Sequence, residues 1–292
     1  MLTAKNEIIS GIYTEFLSYE SNSDLNIIIF PGNPGIASLY IELAQILIQK
    51  LNGKVNLYSI SYAGFTKQKP EKKYSLQEEL DHKVKVINYL KSNWSKKSKV
   101  VILGHSIGGW LGKELIKQMK EDINPKLFLL FPFISKSENP MQVNFSQFLA
   151  NPNYTRLALG SYRIFRKIPT GIILSMIKLL YSHASEKARE LILEYFISEN
   201  HILESIFYLA NNEFESLSED VDVSFFQTHK DSTILFYCAD DMWASLSQLE
   251  NLKTNVIGIK SETLPFVTHD FCVNPNQCEI VAEKIVSYLQ LV

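Results

Sequence analysis

The stretch KVVILGHSIGGWLGKELIKQM, Lys99 to Met119, decides the reading of this chain. An apolar run, Val100 to Leu103, stops at Gly104, and a helical pattern begins around Trp110 with Leu111, Leu115 and Ile116 at helix-like spacing. Between them, Gly104-His105-Ser106-Ile107-Gly108 matches Gly-x-Ser-x-Gly in the strand–turn–helix setting that this motif needs. A serine at such an apex is held in a strained backbone conformation, and only small residues two before and two after it let strand and helix approach closely. The bend projects the serine oxygen out of the sheet. It also aims the next backbone N–H, that of Ile107, at the same spot from a helix N-terminus. Ser106 is the candidate nucleophile and Ile107 N–H a candidate oxyanion donor.

A serine hydroxyl is a weak nucleophile until a base takes its proton. On a sheet with such an elbow the triad runs in chain order serine, acid, histidine. Of the six histidines, His82 and His105 precede Ser106, and His105 lies inside the elbow, where its side chain is expected to turn away from the serine. His183 and His201 fall in a helical region and His229 precedes the last acid-bearing strand. His269 alone follows the last strand signal, in a loop from which a base can hang over the serine. The acid is expected just beyond a late strand, and ILFYCADDMW supplies Asp240 and Asp241 there. Neighbours in an extended segment point opposite ways, so one of the two faces His269, and Asp241, further out of the strand, is the better placed. Asp270, beside the histidine, is set aside because sequence neighbours rarely present their side chains to each other.

A second oxyanion donor is expected from the loop after the first buried strand, FPGNPG, Phe30 to Gly35. Pro34 has no N–H, which leaves Gly32, Asn33 and Gly35. Asn33 holds the expected donor position and is assigned with Ile107.

The rest of the chain fits one large α/β domain. NIIIF (26–30), VNLYSISY (55–62), KVVILG (99–104), KLFLLFPF (126–133) and STILFYCADD (232–241) read as strands, and VIGIKSETLPFVTHDF (256–271) as a short strand and a loop. Helical patterns run through SLYIELAQILIQKL (38–51), SLQEELDHKVKVINYLKSNW (75–94) and NQCEIVAEKIVSYLQLV (276–292). Ser75 and Glu78 form a capping-box pattern at the start of the second. Alternating helices and near-continuous apolar strands imply a mostly parallel sheet covered on both faces. Residues 138–215 turn helical with no clear strand, which suggests a helical cap inserted between core segments 1–137 and 216–292.

A composition of 46% hydrophobic and 21% charged residues with a formal net charge of -2 gives no sign of a nucleic-acid partner. Three cysteines without a CxxC pair, and an N-terminus MLTAKNEIIS without an apolar signal region, suit a reducing compartment such as the cytoplasm. The apolar stretch 168–181 is broken by Pro169, Gly171 and Lys178 and is short for a bilayer span, which takes about 20 residues. The chemistry read here uses no cofactor and no metal.

Taken together, FPGNPGIASLYIELAQIL, SISYAGF, LDHKVKVINYL, VVILGHSIGGWL, LLFPFISKSENP, FYCADDMWA and LPFVTHDFCV resemble the lipid droplet-associated hydrolase family of α/β-hydrolases, from about Ile27 to the C-terminus. The resemblance is dense in the sheet motifs and weak across the insertion. It implies Ser106 as nucleophile, Asp241 as acid and His269 as base. Near the acid the family pattern is a Gly, two residues, then Asp-Pro-Trp. Here Cys238 and Met242 replace the Gly and Pro, while Trp243 keeps the register on Asp241. The resemblance further implies an α/β-hydrolase fold, an ester hydrolase acting on lipids, sterol esters among them, and association with lipid droplets or a membrane surface.

The leading expectation is therefore a serine esterase working through an acyl-enzyme on an apolar ester. Phe145, Phe148, Tyr162, Phe165, Met176 and Phe196 of the insertion would cap its site. The alternative is a weakly or non-catalytic lipid-binding protein on the same fold, since fold does not fix function. In that reading Arg163, Arg166, Lys167 and Lys178, beside Ile172, Ile173, Leu179 and Leu180, lie on a lipid surface. An acyltransferase is a third reading.

Overall fold

The computed structural model describes residues 1–119 and 123–290. Its centre is one eight-stranded sheet in the order β1-β2-β4-β3-β5-β6-β7-β8. The strands are β1 (Thr3–Ile9), β2 (Ile12–Tyr19), β3 (Leu25–Phe30), β4 (Asn56–Ile60), β5 (Lys99–His105), β6 (Lys126–Leu130), β7 (Thr233–Tyr237) and β8 (Lys260–Thr263). From β4 to β8 every neighbour is parallel. The central strands β3, β5 and β6 are buried almost throughout. That burial on both faces explains their unbroken apolar runs.

The hairpin β1–β2 was not legible as sheet in the sequence reading. β1 pairs antiparallel with β2, and β2 antiparallel with β4. Its turn residues Ser10 and Gly11 both have positive φ, 50° and 81°, the requirement of a tight two-residue hairpin turn. β1 is an edge strand with largely exposed side chains, so it carries no clean apolar alternation.

Helices α1 (Ile41–Lys50), α2 (Leu76–Lys91), α3 (Ile107–Gln118), α9 (Val223–His229), α10 (Leu246–Asn255) and α11 (Pro275–Gln290) surround the sheet. The final residues of the expected last helix, Leu291 and Val292, lie outside the described residues. The capping box opens α2: Ser75 Oγ accepts from Glu78 N and the Glu78 carboxylate accepts from Ser75 N. One turn on, α2 buries Glu79 and Lys83 completely, 3.5 Å apart. Glu79 accepts the backbone N–H of Ala63 and Gly64, and Lys83 Nζ donates to the Ser61 carbonyl. The pair clamps the loop after β4. Burial pushes both groups toward their neutral forms, Glu79 upward and Lys83 down to about 8, and their mutual attraction opposes this.

Between β6 and α9 the chain runs through five α-helices, α4 (Pro140–Ala150), α5 (Pro152–Phe165), α6 (Thr170–Leu180), α7 (Glu186–Ile192) and α8 (Asn200–Ser216), with a π-helical segment, Leu193–Ser198, joining the last two. Asparagines cap α4 and α5, each followed by a proline in the first turn. No residue of α5 is buried. Among the described residues no helix is long and apolar enough to cross a membrane.

Candidate active site

Ser106 sits between β5 and α3 with φ 52° and ψ −124°, a left-handed-side conformation that costs a non-glycine residue free energy and persists only where the surroundings impose it. The surroundings are the two motif glycines. A Cβ on Gly108 would lie 2.3 Å from the carbonyl oxygen of Phe30, and one on Gly104 would lie 2.5 Å from that of Gly108. Strand β3, the elbow and α3 therefore touch backbone to backbone. The Ile107 N–H, at the first position of α3, makes no hydrogen bond among the described residues.

Beyond β7, Asp241 is buried while Asp240 is exposed. Asp241 Oδ2 lies 2.7 Å from His269 Nδ1, and its Oδ1 accepts from the N–H groups of Trp243 and Ala244 at 2.8 and 3.1 Å. Burial pushes the Asp241 carboxyl up, but the bonds from His269 and from these two N–H groups outweigh it and hold the carboxyl below its ordinary value. An ionised Asp241 fixes the imidazole with its proton on Nδ1 and leaves Nε2 free to accept one. Asp270 turns instead to His183, at 3.1 Å, and to Thr268. Of Asp240, Asp241 and Asp270, Asp241 is the one placed against His269 Nδ1.

The loop after β3 folds over the elbow. Gly32 is pressed against it, its missing Cβ only 3.0 Å from Ser106 Cβ. Of the candidate donors there, Gly32 N–H is taken by the Tyr40 hydroxyl at 2.8 Å. Gly35 is packed on the Tyr62 ring, 2.2 Å from where its Cβ would stand. Asn33 N–H makes no hydrogen bond among the described residues. Tyr40 was not singled out in the sequence reading. Its oxygen also meets His105 Nδ1 at 2.5 Å.

The His105 ring makes no hydrogen bond to Ser106, but it does not leave the site. It packs against the His269 ring with centroids 4.9 Å apart. Burial, and then the charge of His269, hold His105 well below its ordinary value. A neutral His105 adds no repulsion when His269 becomes charged.

Ser106, Asn33 and His269 line one cavity of about 130 Å³, together with Phe133, Phe145, Ile206, Ala210, Glu213 and Trp243. A second cavity of about 160 Å³ continues on the other side of Asn33 and His269, between Tyr40 and Cys272 of the core and Tyr181, Ile192 and Phe196 of the inserted segment. The inserted helices thus roof both chambers. Of the six roof residues expected, Phe145 and Phe196 line them. Phe148 stacks between Phe145 and Tyr154, while Tyr162 and Phe165 are half-buried elsewhere and Met176 is exposed. Within α6, Ile172, Leu179 and Leu180 are exposed, but Ile173 is fully buried. Ile173 is therefore core, not surface: it shares the buried face of α6 with Ile177, four residues on.

Glu213, on α8, escaped the sequence reading. It is 4% exposed, and its carboxyl accepts from Asn33 Nδ2 at 3.0 Å. The same Nδ2 donates to the Ile206 carbonyl at 3.2 Å. Burial pushes Glu213 up to about 8 against the lowering effect of the Asn33 bond.

A family model described as lipid-droplet associated hydrolase matches residues 23–272. The chain is 25% identical over 290 residues to a lipid droplet-associated hydrolase of Dictyostelium discoideum, covering 96% of this chain and 91% of the relative. It is 26% identical over 289 residues to the human protein of the same name, covering 89% and 84%. Among solved structures, a haloalkane dehalogenase mutant from Agrobacterium tumefaciens superimposes with a TM-score of 0.73 at 15% identity, covering 99% of this chain and 97% of that one. That likeness is one of architecture, and it makes this an α/β-hydrolase fold.

Proposed function

The chain belongs to the lipid droplet-associated hydrolase family, and from that membership we propose that it is a serine hydrolase cleaving apolar lipid esters through Ser106, His269 and Asp241. The observation that carries the reading is the Asp241–His269 hydrogen bond together with a serine in a strained turn, Ser106 and His269 lining one cavity and Asp241 buried behind the histidine.

In this mechanism His269 Nε2 takes the Ser106 proton as Oγ attacks the ester carbonyl. Asp241 stabilises the resulting imidazolium, and the backbone N–H groups of Asn33 and Ile107 receive the oxyanion. His269 then gives its proton to the leaving alcohol. Water, deprotonated by the same His269, attacks the acyl-Ser106 carbonyl, and the acid leaves as the serine regains its proton. The largely aromatic and aliphatic walls of both chambers favour apolar acyl and alcohol groups. Sterol esters fall within that class.

The inserted helices act as the cap and as the surface-seeking part of the molecule. Leu157 and Ile164 of α5 and Ile172, Leu179 and Leu180 of α6 are more than half exposed, with Lys167 and Lys178 exposed nearby. Such a face suits peripheral attachment to a lipid droplet or membrane surface without a spanning helix. The deciding experiment is active-site labelling with a fluorophosphonate, followed by a panel of lipid esters. Labelling at Ser106 and turnover lost in Ser106→Ala support the reading. Lipid binding without labelling supports a non-catalytic lipid binder instead.

A further inference from the structure

Most of the wall of the Ser106 chamber is apolar: Phe133, Phe145, Ile206, Ala210 and Trp243. Two polar groups break it on the side of α8. Asn33 Oδ1 is buried and has no hydrogen-bond partner among the described residues. The Glu213 carboxyl receives a single hydrogen bond among the described residues, from Asn33 Nδ2 to Oε1, and no ion pair reaches it there. A purely hydrocarbon substrate would leave the Asn33 oxygen unpaired and the Glu213 carboxyl with no partner beyond Asn33.

We propose that Asn33 and Glu213 form a subsite for a free hydroxyl, so that the preferred substrates are esters carrying an alcohol group within a few bonds of the scissile carbonyl. The proposal rests on the serine-hydrolase reading above and narrows its substrate class. A hydroxyl is one donor and an acceptor. It gives its proton to Asn33 Oδ1 and accepts one from the protonated carboxyl of Glu213. The Asn33 amide is anchored on its other side by Ile206, so its oxygen is held facing one way. The same residue's backbone N–H is the proposed oxyanion donor, which places the hydroxyl close to the reacting carbonyl.

The protonation state agrees with this role. Burial keeps Glu213 a neutral acid up to about pH 8. The groups that face it are Asn33, Tyr62 and, across the chamber, His269. The Tyr62 hydroxyl is committed to the Pro31 carbonyl at 2.5 Å, so it does not compete for the carboxyl. A chamber designed around a hydrogen-bonded hydroxyl rejects the analogue that lacks it far more strongly than an apolar pocket rejects an added one.

The test compares two matched pairs of esters with the full chain. Monooleoylglycerol against propyl oleate places the hydroxyl on the alcohol half, and methyl β-hydroxypalmitate against methyl palmitate places it on the acyl half. One pair should show a preference in kcat/KM of about tenfold or more for the hydroxylated ester, and the pair that does identifies the half. Glu213→Gln, which keeps a donor and an acceptor, should retain the preference, and Glu213→Leu should reduce it to within about twofold. In the wild type the preference should fall as pH rises through about 8, and in Glu213→Gln it should not. No preference in either pair, with Ser106 still labelled by fluorophosphonate, overturns the subsite and leaves the hydrolase reading standing. A preference that survives Glu213→Leu in a protein of native circular dichroism also overturns it. If Leu does not fold, the wild-type pH dependence and the Gln variant decide. Absence of both labelling and turnover removes the hydrolase reading, and the subsite with it.

Discussion

Nδ1 of His269 lies 2.7 Å from Oδ2 of Asp241, while Asp240, one residue earlier, is exposed to solvent. The two acids are chemically alike and differ only in which way β7 delivers them. Asp241→Asn should lower kcat by about 10³- to 10⁴-fold, because an amide at this position favours the wrong imidazole tautomer. Asp240→Asn should change kcat by less than about threefold, as expected of an exposed side chain away from the reacting atoms. Steady-state rates on a short-chain ester at neutral pH check the ranking, and the reverse order would move the acid to Asp240.

Ser106→Ala should abolish fluorophosphonate labelling and lower turnover by at least about 10³-fold while leaving the far-ultraviolet circular dichroism unchanged. Alanine removes one oxygen at the apex and empties little packed volume. Turnover within tenfold of wild type would remove Ser106 from the nucleophile role.

Glycines at the elbow and on the cap should respond in opposite directions. Gly108→Ala drives a methyl group into the Phe30 and Pro31 carbonyls, 2.3 and 2.4 Å away, and should destabilise the fold by about 1–3 kcal/mol or more. Gly160→Ala, within α5 and with nothing within 4 Å of the new methyl, should stabilise by about 0.5–1 kcal/mol through helix propensity. Urea unfolding of the two variants measures both signs.

Stability should fall with pH because of Glu213. In the unfolded chain this carboxyl loses its proton near the ordinary value of 4.5, whereas in the folded protein it keeps it up to about 8. Between those values the folded state binds more protons, so this group's contribution to stability is complete below the lower value and declines by up to about 1.4 kcal/mol per pH unit until the upper one. Glu213→Gln has no proton to lose. Its advantage in Tm over wild type should therefore grow from about pH 5 to about pH 8 and then level off. A constant difference across that range would show that Glu213 is ionised in the folded protein.

Flotation with lipid should depend on the exposed apolar side chains of α6. Replacing Ile172, Leu179 and Leu180 with Ser should weaken binding to droplets or liposomes more than neutralising Arg163 and Lys167 does, since each buried CH₂ is worth about 0.8 kcal/mol. Arg163 is already paired with Glu204 at 2.8 Å. Ile173 is left out because it is core, and changing it would test folding. A folded triple variant that floats like wild type places the attachment elsewhere.

The parts of this molecule that were legible are those where one local constraint leaves few alternatives. The elbow needs glycine at 104 and 108 because backbones meet there, and the apolar strands β3, β5 and β6 have no solvent-facing side to blur their pattern. Ser75 and Glu78 marked the start of α2 by the same logic. What escaped depended on the tertiary setting. Glu213 reads as an ordinary helix acid until α8 is laid over Asn33. Tyr40 looks like a helix-entry aromatic until its oxygen is seen between Gly32 and His105. The β1–β2 hairpin hides because β1, at the edge, has little to bury and β2 buries polar Thr14, Glu15 and Ser18 around Phe16 and Leu17, although the Ser10-Gly11 pair was its available signal.

That hairpin reaches further than its edge position suggests. Glu15 on β2 accepts the Tyr195 hydroxyl at 2.8 Å, from the segment joining α7 to α8, and the Lys67 N–H at 2.6 Å. The family match begins only at residue 23. The start of the family-model match is thus not the start of the folded unit. A shortened protein starting at residue 23 would bare the side of β4 that pairs with Phe16–Tyr19 and cut the roof's tether at Tyr195 in one stroke. Such a truncation would be expected to aggregate, and its inactivity would be mistaken for evidence about the triad.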